Sequence, residues 1–118
     1  MSFSLHDATI PNFLQGLGAV RGFLAKAEAH CAEAGLDPAE LIGARLAEDM
    51  LPFAYQVKSV AVHSIGAIKG VRAGQFSPDT STPPDTFAGL IARMDETIAA
   101  LETVTHAEME TFIGKDMA

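Results

Sequence analysis

Residues Ile10–Cys31 read IPNFLQGLGAVRGFLAKAEAHC. Ile10, Phe13, Leu17, Val20, Leu24, Ala27 and Cys31 recur at alternating steps of three and four, one face of an α-helix held for about six turns. Leu14 and Phe23 widen the stripe. The pattern extends this helix from about Leu5 to about Ala34. Pro11 falls inside it, removes a backbone donor, and is expected to kink the helix or mark its start. Gly35 follows the last periodic residue and reads as its C-terminal cap.

Outward from that helix the chain repeats the grammar. Asp37-Pro38-Ala39-Glu40 combines an acceptor side chain, an early proline and an acid in the first turn, so a helix starts there; Gly43 keeps it short. Glu48-Asp49 with Pro52 gives another start, the two acids reading as caps. From Pro52 to about Val71, Phe53, Val57, Val60, Ser64, Ala67 and Val71 form one seam, and Ala54, Ala61, Ile65 and Ile68 form a stripe beside it. A helix apolar on two faces is expected to be the most buried. Residues 73–82 are a loop by composition. Thr82-Pro83-Pro84-Asp85 then opens a third long helix, carried by Phe87, Leu90, Ile91, Met94, Ile98 and Leu101 to about Val104. In the tail Met109, Thr111 and Ile113 alternate with Glu108, Glu110 and Phe112, which reads as the first strand of a hairpin turning at Gly114-Lys115-Asp116.

The 118 residues suffice for one core. A helical domain over 1–106 and a strand-like or disordered tail over 107–118 are expected. With 15 acidic and 8 basic residues the net charge is -7, so no counterion-release affinity draws the chain to nucleic acid or an anionic membrane, and neither is expected as a partner. No apolar run is long enough to span a bilayer, and no secretory signal pattern opens the chain. The single cysteine, Cys31, suits a reducing compartment, and a cytoplasmic location is expected.

Three long amphipathic helices carry more apolar surface than three can shelter among themselves. The missing neighbour is expected from a second copy, making a homodimer. The loop before the third helix has roughly eleven residues, enough at about 3.3 Å each to run back along a helix of about 30 Å. The second and third helices can therefore lie parallel, joined by a crossover.

The stretch Ala44-Arg45-Leu46-Ala47-Glu48-Asp49-Met50-Leu51-Pro52-Phe53-Ala54-Tyr55-Gln56-Val57 carries a family resemblance, together with Ser2-Phe3-Ser4-Leu5-His6-Asp7-Ala8 and Asp85-Thr86-Phe87-Ala88-Gly89-Leu90. These residues resemble an uncharacterised bacterial and fungal family that carries a domain-of-unknown-function label. That family is grouped with the DinB/YfiT-like superfamily of four-helix bundles. The resemblance implies an all-α, up-down-down-up bundle with a long crossover. It also implies that related chains continue through a hairpin and a fourth helix, whereas this sequence stops at Ala118. The fourth position is then expected to be empty or filled by a partner. Better-known superfamily members bind a divalent metal through three histidines, one on the second helix and two on the last, and are described as metal-dependent hydrolases or thiol transferases. Such a site would make hydroxide from bound water near neutral pH. Only His63 matches, by its place on the second helix; a zinc or nickel ion there would need ligands from outside the chain.

Each remaining candidate has a plain structural reading beside it. His63 is either that ligand or a semi-buried histidine bonded to a backbone or hydroxyl group. His6 and Asp7 sit at the start of the first helix, where an acid is ordinary. His30 reads as solvated, and His106 as closing the third helix. No two histidines stand four apart, the spacing that places two ligands on one helical face. Cys31 completes the apolar seam as a buried thiol. Tyr55 and Arg45 are placed at a bundle opening without an identified partner. Gly16, Gly18 and Gly22 follow no strand and precede no phosphate-loop lysine, so they read as permitting close helix approach. The residues thus describe a bundle that binds a small apolar ligand or a partner chain without catalytic machinery of its own. The alternative is a divalent-metal-dependent hydrolase or thiol transferase with a degenerate histidine site.

Overall fold

The computed structural model describes residues 3–118. Ser2, part of the opening quoted above, lies outside them. Ser4 opens the first helix, α1 (Leu5–Ala34), through a capping box: its hydroxyl accepts from Asp7 N–H while its own N–H donates to Asp7 Oδ2. The helix therefore begins a turn and a half before Pro11, which is exposed and lies within it. Gly35 closes it at φ 69°, a left-handed conformation that suits glycine. Within the seam Ile10, Leu17, Leu24 and Cys31 are buried, and Phe13, Val20 and Ala27 pack against them.

Asp37 caps α2 (Pro38–Ile42) by accepting from Ala39 N–H, with Pro38 in the first turn. The second long segment is two helices, α3 (Phe53–Val62) and α4 (Ile65–Ala73), rather than one. The break falls at the buried Ser64. Its hydroxyl donates to Val60 O at 2.7 Å and Ala61 O at 3.1 Å, competing with the helical ladder, and its backbone leaves the helical region. Pro52 is the N-cap of α3 and no side chain caps it, so Glu48 and Asp49 do not perform the capping expected of them. Helix α5 (Phe87–Glu102) starts later than Thr82 suggested, because the hydroxyl that meets a free N–H is that of Thr86, bonded by Gly89 N–H.

Helix α5 runs antiparallel to α1. Arg21 meets Asp95 at 2.9 Å, and His6 meets Val104 at the far end. Leu17, Leu24, Leu90, Met94 and Leu101 fill the seam between them with no measurable exposure. The α3–α4 pair lies antiparallel to α1 as well: Phe53 packs on Phe23, while Ile68 and Val71 share a groove with Leu5 and Phe13. So α3–α4 and α5 point the same way, and residues 74–86 make the return.

The tail corrects the strand reading. There is no strand among the described residues, and the segment forms a short helix, α6 (His106–Glu110). Thr105 caps it by accepting from Glu108 N–H, so His106 opens this helix instead of closing the one before. Met109 is 2% exposed within the core, and a bidentate Arg72–Glu108 pair ties α6 to α4. These long-range contacts outweigh the weak local alternation. Ala118 then pairs through backbone bonds with Gly74 and Phe76.

Candidate functional site

The start of α1 and the start of α6 bring three potential ligands together. His6 stands one residue into α1, Asp7 follows it, and His106 is the first residue of α6. The imidazoles of His6 and His106 stack with centroids 3.8 Å apart and planes 21° from parallel. Asp7 Oδ1 lies 3.9 Å from His106 Nε2. One donor atom from each of the three lies within 4.8 Å of the others. Among the described residues this is the group that satisfies such a criterion.

Each side chain is aimed by a different contact. His6 Nε2 is 3.2 Å from the carbonyl of Val104, just beyond α5. A carbonyl only accepts, so Nε2 carries the hydrogen, and in the neutral imidazole Nδ1 then keeps its lone pair. That Nδ1 is buried and has no hydrogen-bond partner among the described residues. Asp7 is held by the capping box through Oδ2, which leaves Oδ1 toward His106. The backbone N–H and the hydroxyl of Ser4 keep the Asp7 carboxyl below its usual range, and His106 and His6 add to that.

His63 is placed elsewhere. It is the exposed C-cap residue of α3, at the break before Ser64. It belongs to no group of three potential ligands among the described residues, so the three-histidine centre implied by resemblance does not assemble around it within this chain. His30 is exposed, and Cys31 is buried in the seam as a free thiol. Arg45 donates to Glu48 O on the irregular segment before α3.

A second polar constellation escaped the sequence reading. Lys58 is 2% exposed, and its Nζ donates to the carbonyls of Asp79 and Ser81, each at 2.7 Å. The Asp79 carboxylate lies 3.6 Å away and the Tyr55 ring 4.3 Å. Tyr55 Oη also donates to Asp79 O at 3.3 Å. The Ser81 hydroxyl and N–H hold the Asp79 carboxyl low, and Lys58 contributes less. With one ammonium satisfying two loop carbonyls, this cluster anchors the crossover against α3 and leaves no reactive atom free. The sequence signal was a lysine inside the most apolar helix, between Val57 and Val60.

Comparison with known families matches a domain of unknown function, DUF1993, over residues 5–118. The chain belongs to the DUF1993 family. Neither the curated proteins nor the solved structures contain a match. The membership spans α1 to the tail, so both clusters, at His6 and at Lys58, lie within the DUF1993 domain.

Proposed function

We propose that this DUF1993 chain is an association module, one half of a symmetric homodimer in which a second copy covers the flank left open by α1, α4 and α6. The observation that carries the reading is surface area. A compact monomer of 12.4 kDa exposes about 6,100 Å² by the usual scaling, whereas this chain exposes 7319 Å². The difference, about 1,200 Å², exceeds the roughly 800 Å² that each partner contributes to a standard interface. The radius of gyration agrees, 16.3 Å against about 13.5 Å for a compact domain of this length.

The flank has suitable chemistry. Leu5, Phe13, Ile68, Val71 and Phe112 line a groove of about 260 Å³. The shared direction of α3–α4 and α5 supports a DinB-like up-down-down-up arrangement, the partner standing in the fourth position. The buried thiol of Cys31 suits a cytoplasmic setting. No helix of the described residues is long and apolar enough to cross a membrane.

Sedimentation velocity over a wide concentration range tests the proposal. The expected species has twice the 12.4 kDa chain mass and persists on dilution into the micromolar range. A single species of chain mass throughout would overturn it. A small apolar ligand filling the groove would instead give that monomer with an organic molecule detected by native mass spectrometry.

A further inference from the structure

We propose that His6, Asp7 and His106 bind a divalent ion of the zinc class where the starts of α1 and α6 meet. Two neutral imidazoles and a carboxylate form a donor set that zinc accepts, with a fourth position left for water. The three donor atoms already lie within 4.8 Å of one another. Around zinc, with ligand distances of about 2.0–2.1 Å, tetrahedral donors stand roughly 3.3 Å apart, so the set must contract by about 1.5 Å.

The movement this needs falls on one residue. With the rings stacked, their lone pairs run side by side, and one ring must turn for the nitrogens to converge. The His106 side chain is 59% exposed and its ring can leave the stack. His6 is fixed by Val104 O, and Asp7 by Ser4. A backbone carbonyl behind one ring nitrogen, with the other nitrogen turned to the metal, is the usual outer support of a histidine ligand.

Two features point to a cation. His6 Nδ1, a lone-pair donor in the neutral imidazole, is buried with no hydrogen-bond partner among the described residues, a state that native structures rarely leave uncompensated. Asp7 uses only one oxygen in its cap and presents the other toward His106. The partial positive charge at the start of α1 opposes a cation, but it is weak beside direct coordination. Bound metal would also bridge residues about a hundred positions apart, fastening α6 to the head of α1.

The test is isothermal titration of zinc chloride, and separately nickel chloride, into the untagged chain after chelator treatment. One zinc ion per chain is expected, with affinity falling in His106→Ala by at least the roughly ten- to hundredfold that loss of an outer support costs, and unchanged in His63→Ala. His106 is exposed, so its replacement leaves the helices intact, which circular dichroism checks; His6→Ala is the second variant. The thermal midpoint should rise with zinc in the native chain and not in His106→Ala. Absence of saturable zinc binding, binding that survives His106→Ala at full strength, or binding that follows His63 would overturn the proposal. None of these results depends on whether the chain dimerises.

Discussion

Lys58 occupies a place its charge does not favour on its own. Burying an ammonium is costly, and two short bonds to loop carbonyls with a carboxylate nearby offset that cost. Removing the ammonium therefore leaves the Ser81 carbonyl without its donor and the Asp79 carbonyl with the longer Tyr55 bond alone. Lys58→Met is expected to lose about 1.5–3 kcal/mol, read from urea unfolding at neutral pH, because the charge-assisted bonds from the buried ammonium to the loop carbonyls outweigh the relief of desolvation. A loss near zero would mean that the crossover carries no stability. The lysine stood in plain view in the sequence, but its partners lie more than twenty residues away in a segment with no periodicity. His6, Asp7 and His106 were hidden for the same reason: 98 positions separate His6 from Val104, the residue that aims it.

At the scale of the element, α1 shows how periodicity and glycine content carry different information. Its seam was legible, because burial on a 3.6-residue repeat leaves an unmistakable spacing. The glycines do not serve close packing within the described chain. A Cβ built at Gly16, Gly18 or Gly22 meets nothing within 4 Å, so no helix of this chain approaches closely there. In an exposed helix interior each costs about 0.5–1 kcal/mol relative to alanine. The combined Gly16→Ala, Gly18→Ala, Gly22→Ala variant should therefore be more stable by about 1.5–3 kcal/mol, measured by thermal or urea unfolding. If the variant were less stable, those positions would lie against a partner chain, a contact that isolated α1 does not show. The break at Ser64 belongs to this scale too. Serine continues the apolar seam by spacing, and the helix divides where its buried hydroxyl turns onto Val60 and Ala61.

For the whole molecule, three carboxyls govern the response to acid. Asp7 is lowered by Ser4, Asp79 by Ser81, and Glu108 by Arg72. Each binds its proton less readily in the folded chain than in the unfolded one, so each contributes stability that is fully present above its ordinary value, 3.8 for the aspartates and 4.5 for the glutamate. That contribution is lost as pH falls through and below those values. The thermal midpoint should be nearly flat from neutral pH to about 5 as far as these groups are concerned, then drop. Glu108→Gln should flatten the start of the drop and loosen α6 from α4; a midpoint that falls equally steeply in that variant would show that the Arg72 pair is not a source of it.

By itself the sequence determined the all-α class, the extent of α1, the caps at Asp37 and Gly35, and the apolar faces, since all of these depend on residues within a few turns of one another. Tertiary structure alone decided that the tail turns into the short helix α6, and that His6 and Asp7 meet His106 while His63 stands apart. Those outcomes depend on contacts between residues far apart along the chain, whose energies leave no periodic trace in the order of the amino acids.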